Sequence, residues 1–183
     1  NDYFTIQQYR YGGDLEIEVS RIESETLCRD CMIPRFTLQP LVENAIFHGL
    51  EPKGGHGSVL LDIGTDHCRL PAEGLLSGRL SGAFAADLRP GPLAAARRQL
   101  AALGLEQKIP LYLSNGLQSI PQAVLEKVQV ICIAGMGGEL ISMIMNDAPA
   151  INALWVLQPM SAVYELLDTL AEKGYEVRQG ALA

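Results

Sequence analysis

The chain has 183 residues, 48% of them hydrophobic and 19% charged, which is enough for one ordinary domain or for a domain plus a fragment. Its 14 basic and 21 acidic residues leave a net charge of −7, which excludes a broad nucleic-acid-binding face but not a local basic patch. No run approaches the ~20 apolar residues of a membrane span, and no basic-then-apolar leader opens the sequence, so a cytoplasmic location is expected.

Starting at Asn1 rather than methionine, the chain is expected to be a processed, cloned or partial product. Residues 14–21 alternate apolar and polar side chains, the pattern of a half-buried strand. A helix is expected over 34–49, capped by Thr37 and ended by Gly49, with Leu38, Leu41, Val42, Ala45 and Ile46 on one face. Cys28 and Cys31 have C-x-x-C spacing, but a structural zinc site needs two more ligands. Cys68 and Cys132 are single, so reduced thiols and no metal are expected. The glycine-rich stretch 51–57 reads as a junction between two blocks, residues 1–50 and 58–183.

After the junction, strands and helices alternate. Strands are expected at 58–63, 80–86, 109–113, 128–134 and 154–157. Helices are expected at 70–77, 90–103, just after Ile120, at 138–145 and at 162–173. Near-continuous apolar strands separated by helices mean an α/β fold, a parallel sheet covered on both faces.

The chemistry gathers at the ends of these strands. Asp62 and Gly64 close the first: the glycine lets backbone approach a ligand, and the acid can fix the loop or meet a cationic group. Asp87 closes the second, about 20 residues after the glycine, where a carboxylate accepts hydrogen bonds from ribose hydroxyls in such folds. Either acid alone would serve as well as a helix cap or a surface group. Enzymes of the NAD type carry three spaced glycines here; this loop has one, followed by Asp66 and His67. Little is left to cradle a pyrophosphate, so a cofactor with ribose and adenine but no phosphates fits better, which points to S-adenosyl-L-methionine. A second glycine cluster, Gly135-Met-Gly-Gly138, follows the fourth strand and reads either as an open backbone surface or as close helix–strand packing.

From Gly57 to about Gly174 the sequence resembles the bacterial tRNA (adenine-22-N1)-methyltransferase family. The resemblance rests on Asp62-Ile-Gly-Thr-Asp-His67 with Leu70-Pro71, on Asp87 followed by Gly91-Pro92, on Asn115-Gly116-Leu117, on Ala134-Gly-Met-Gly-Gly-Glu-Leu-Ile141 and on Leu157-Gln-Pro159. It implies a Rossmann-like class I methyltransferase sheet in which Asp62, Gly64 and Asp87 bind S-adenosyl-L-methionine. Asn115 and Gly116 would lie along its adenine. Ala134, Gly135, Met136, Gly137 and Gly138 would line the pocket of the target base, with tRNA as partner. Asp66 and His67 would face the transferred methyl. Adenine N1 becomes cationic on methylation, so a carboxylate nearby would stabilise that charge or accept a proton, the role given to Asp66. His67 reads equally as a hydrogen-bonded loop residue. Asn115 stands where the family usually has aspartate, and Met160 where it usually has asparagine. The chain stops at Ala183, before the family's remaining strands and helical C-terminal domain, so a shortened sheet and impaired activity are expected.

Residues 2–50 are similar to a different family, the LytS-like sensor histidine kinases. Tyr3-Phe-Thr-Ile-Gln-Gln-Tyr-Arg-Tyr11 matches the segment leading into their ATP-binding domain, and Leu38-Gln-Pro-Leu-Val-Glu-Asn-Ala-Ile-Phe-His-Gly49 matches their N-box. By that resemblance Asn44 would hold the magnesium of bound ATP, with Glu43 and His48 nearby. The glycine-rich lid that should follow the N-box is replaced by the second family, which argues against Mg-ATP binding. Three readings result: a methyltransferase domain, a sensor-kinase fragment, or an inert fusion of the two.

Overall fold

The computed structural model describes residues 58–177, which fall within one compact unit of the chain. The elements expected at 14–21 and 34–49, with Cys28, Cys31 and Asn44, lie outside the described residues.

Five strands, β1 (Ser58–Ile63), β2 (Leu80–Asp87), β3 (Leu111–Leu113), β4 (Val130–Met136) and β5 (Leu154–Pro159), form one sheet in the order β3-β2-β1-β4-β5. Every neighbouring pair is parallel. Five helices alternate with them: α1 (Arg69–Leu76), α2 (Pro90–Ala102), α3 (Gln122–Leu125), α4 (Gly138–Asp147) and α5 (Val163–Glu172). This is the parallel α/β sheet expected from the alternating pattern, and the Rossmann-like methyltransferase arrangement that the family resemblance implies.

Strand residues alternate between two cores because successive side chains point to opposite faces. Leu60, Val130 and Cys132 join Ala83 and Ala85 under α1 and α2, where Ala72, Ala96 and Leu100 meet them. Leu61, Ile63, Ile131 and Ile133 face the other way, onto Leu125 of α3, Ile141 and Met145 of α4, and Leu166 and Leu170 of α5. Central strands buried on both sides explain why β1 and β4 read as near-continuous apolar runs.

Two boundaries depart from expectation. The third strand begins at Leu111 rather than Ile109, because Pro110 has no N–H and the Ile109 N–H is committed to the Leu105 carbonyl at 3.2 Å. The fourth runs from Val130 to Met136 rather than from 128 to 134. Val128 donates back to Leu125 in a turn, and pairing with β5 resumes beyond an irregularity between Ala134 and Met136. Because β2 and β4 flank β1, strand order reverses at β1, the point at which open α/β sheets form a ligand crevice beyond the carboxyl ends of the strands.

Candidate active site

Asp62 is carried near the end of β1, where it is only 7% exposed. Its Oδ2 accepts a hydrogen bond from Thr65 Oγ1 at 2.7 Å, closing the turn that follows the strand. Burial pushes its carboxyl up from 3.8 to about 6. The nearby Asp87 charge adds to the rise, while the hydrogen bonds from Thr65 and from the Cys132 thiol oppose it. Cys132 is its register partner on β4. Both buried cysteines flank this carboxylate: burial and the Asp62 charge push the Cys68 thiol up to about 12 and hold that of Cys132 well above its ordinary range. Burial therefore favours the thiol over the reactive thiolate at both positions.

Gly64 turns the chain off β1. Its φ of 75° lies in the left-handed region, and its N–H, with that of Thr65, is held by the Ala86 carbonyl at 2.8 and 3.1 Å. The loop is therefore tied to the residue before Asp87. Any Cβ at Gly64 would run into the terminal methyl of Met136, so the two loops lie against each other. Beyond it, Asp66 and Cys68 also take positive φ, 48° and 57°. Non-glycine residues rarely do so, and the strain is located at the crevice.

Asp87 is 7% exposed. Its Oδ1 accepts the Arg89 backbone N–H at 2.9 Å, and its own carbonyl accepts from Ser114 at 2.9 Å, which brings the end of β3 alongside. Asp87 thus closes a turn ahead of α2, whose N-cap is Arg89 and which has no side-chain cap, and the turn occupies one carboxylate oxygen. Asn115 and Gly116 follow Ser114. Asn115 is exposed, with Nδ2 3.5 Å from Gln118 Oε1, while Gly116 is buried against Ile144 of α4.

The structure splits the second glycine cluster. Ala134 and Met136 are half-buried, and Gly135 is exposed with φ 76° and open space around it. Gly137 lies against Ser161 Oγ, and Gly138 is buried beneath the Ser161 and Ala162 carbonyls, donating its N–H to Ser161 O at 2.7 Å. Close packing explains Gly137 and Gly138, so the open backbone surface is confined to Gly135. Asp66 and His67 stand at the mouth of the crevice, 70% and 49% exposed, with Asp66 Oδ2 3.6 Å from His67 Nε2.

Asp62, Gly64, Asp87 and Met136 therefore converge, Asn115 and Gly135 flank them, and Asp66 and His67 form an exposed rim. Sequence reasoning assigned no role to Thr65, Cys132 or Gln158. An acid followed three residues later by a threonine is a legible turn signal. Cys132 could be placed only by strand register. Among the described residues no group of three or more His, Cys, Asp or Glu side chains is placed to hold a metal ion.

The strand ends bring Asp62 and Asp87 together, lack the glycine-lined turn of a pyrophosphate site, and have at Gly64 a backbone covered only by the flexible end of Met136. These are features that a ribose-bearing, phosphate-free cofactor needs. A methyltransferase domain model matches residues 54–183. The chain belongs to the methyltransferase-domain family. Over 123 residues this domain is 39% identical to the tRNA (adenine(22)-N(1))-methyltransferase of Bacillus subtilis (strain 168), covering 66% of the chain and 50% of that protein. The chain thus spans half the length of this curated relative. A solved structure from Streptococcus pneumoniae, Sp1610 in complex with S-adenosyl-L-methionine, is 32% identical with a TM-score of 0.62, covering 73% of this chain and 63% of that one. A separate, shorter match of 62 residues, 42% identical, is to the sensor histidine kinase YpdA of Escherichia coli (strain K12); it covers 34% of this chain and 10% of the kinase.

Proposed function

We propose that the methyltransferase domain binds S-adenosyl-L-methionine and belongs to an enzyme that methylates N1 of an adenine in tRNA. The observation that carries this reading is the convergence of Asp62, Gly64 and Asp87 at the strand-order reversal. The relative that acts on adenine 22 and the neighbour solved with S-adenosyl-L-methionine support it.

The residues divide the work by position. The carboxylate oxygen of Asp87 that Arg89 does not use is an acceptor for ribose hydroxyls. Asp62, once ionised, offers a negative charge to a cationic ligand. Gly64 admits the ligand to the backbone, with Met136 turning aside to make room. The exposed Asn115 edge lies beside Asp87 and is the assigned adenine contact. Bound S-adenosyl-L-methionine supplies a methyl group already activated on a sulfonium, so what remains for the protein is alignment. Asp66 stabilises the positive charge that develops on the adenine ring, and His67 orients it or the base. Among the described residues no helix is long and apolar enough to cross a membrane.

The test is calorimetric titration of the full chain with S-adenosyl-L-methionine, followed by methylation of tRNA. Saturable binding that weakens at least about tenfold in Asp87→Ala is expected, as for loss of charged hydrogen bonds. Absence of binding up to millimolar ligand would overturn the reading.

A second reading concerns the kinase-like segment. The 42% identity over 62 residues supports its origin in a sensor histidine kinase. The missing lid argues against a working nucleotide site there, and ATP binding that depends on Asn44 would show otherwise.

A further inference from the structure

The Gln158-Pro159 pair stands out in sequence, yet none of the roles above uses it. In the structure Gln158 sits on β5 beside the irregularity in β4. There Gly135 takes a positive φ and its N–H leaves the strand ladder. That N–H is met by a side chain: it donates to Gln158 Oε1 at 2.8 Å. The other end of the same amide faces acceptors, the Pro159 carbonyl at 3.3 Å and the Met160 sulfur at 3.5 Å. These two contacts orient the amide, because its N–H₂ must face the acceptors and its oxygen must then face Gly135. Below it, the Met160 N–H donates to the Met136 carbonyl at 2.7 Å, so the chain is pinned on both sides of Gly135. Met136 in turn lies over Gly64, on the cofactor side of the crevice.

From this we infer that Gln158 is a positioning residue for the reaction loop: through Gly135 it holds Ala134–Met136 in register with Gly64, and it touches neither cofactor nor base. The inference rests on the function proposed above. An unpaired bulge N–H would otherwise leave the segment free to relax, and a displacement of about 1 Å at a reaction centre can lower turnover about 100-fold. Gln158 keeps this loop in place.

The variants are Gln158→Ala, Gln158→Glu and Met160→Leu. Glutamate retains an acceptor for the Gly135 N–H, and leucine removes only the sulfur acceptor at nearly constant volume. Two readouts are taken on the full chain: hydrogen exchange at the Gly135 amide, and kcat and KM for tRNA methylation. Gln158→Ala is expected to speed Gly135 exchange at least about 10-fold and to lower kcat about 10- to 100-fold, with little change in KM for S-adenosyl-L-methionine. Gln158→Glu keeps the acceptor but loses the donors that orient it, so it should recover both in part, and Met160→Leu should move both slightly in the same direction. A merely structural residue would lower thermal stability without this separation of kcat from KM. Unchanged Gly135 exchange in Gln158→Ala, or faster exchange with unchanged turnover, would overturn this inference alone. A wild-type chain that neither binds the cofactor nor turns over would overturn the proposed function and this inference together.

Discussion

Replacing Asp62 by asparagine tests the electrostatics of the crevice. The carboxyl is buried and rises from 3.8 to about 6 in the folded chain. Between those values the folded state holds the proton that the unfolded state has released, so stability falls as pH rises through this window. The stabilisation is fully present below 3.8 and is lost above about 6; at 1.36 kcal/mol per pH unit the loss is about 3 kcal/mol. Asparagine is neutral throughout and still accepts from Thr65, but its amide N–H₂ meets the Cys132 side, and an unpaired donor there costs about 1 kcal/mol. Asp62→Asn should therefore be about 1 kcal/mol less stable than wild type near pH 3.5 and about 2 kcal/mol more stable at pH 8, with the curves crossing in between. Urea unfolding followed by the fluorescence of the single tryptophan, Trp155 in β5, measures both curves. Subtracting the variant from wild type cancels the other titrating groups. A flat difference, or one that grows in favour of wild type as pH rises, would refute the account of Asp62. A variant that is more stable at pH 8 yet binds S-adenosyl-L-methionine more weakly would show that the wild type keeps a buried charge for its ligand.

The glycine cluster offers a second contrast. Gly138→Ala puts a methyl against the Ser161 and Ala162 carbonyls, which cannot swing away, and should destabilise the domain by about 2–4 kcal/mol. Gly135→Ala meets open space and should lose only the 1–2 kcal/mol of its left-handed conformation; equal midpoints in urea would contradict this. In a Cys28→Ser/Cys31→Ser background, Cys68 and Cys132 should resist thiol reagents at pH 8 until the chain unfolds, and prompt labelling of the native protein would show their burial to be wrong. Thr65→Val removes the hydroxyl bonded to Asp62 and should cost about 1.5–3 kcal/mol at pH 8 but less at pH 4, where the acid is neutral; a pH-independent loss would mean that the methyl-for-hydroxyl change acts through packing alone.

The strands and helices between residues 58 and 177 were legible because each carries its own signal. β1 and β4 are largely apolar runs, α2 opens with Pro90, β2 ends on Asp87, and Gly64 follows β1 directly. The ordering of motifs along the chain likewise made the methyltransferase resemblance readable before any coordinates. Boundaries failed where hydrogen bonding overrode hydrophobicity, as at Ile109 and Val128, whose apolar side chains are buried from turns rather than from strands.

What the sequence by itself determined was the set of elements, their α/β alternation and the residues at the strand ends, because these follow from local pattern and period. Whether a motif residue meets a ligand, a neighbour or solvent was decided only by tertiary structure. Gly135 and Gly138 are three residues apart and indistinguishable as letters, yet one is open and the other lies beneath two carbonyls. Asp62 and Asp66 are acids four residues apart in one motif, yet only the first is buried, beside a thiol that strand register brings from β4. Gln158 acquires its partner from a bulge on another strand. Burial, register and the pairing of distant backbone groups are properties of the packed sheet, and no short stretch of the chain contains them.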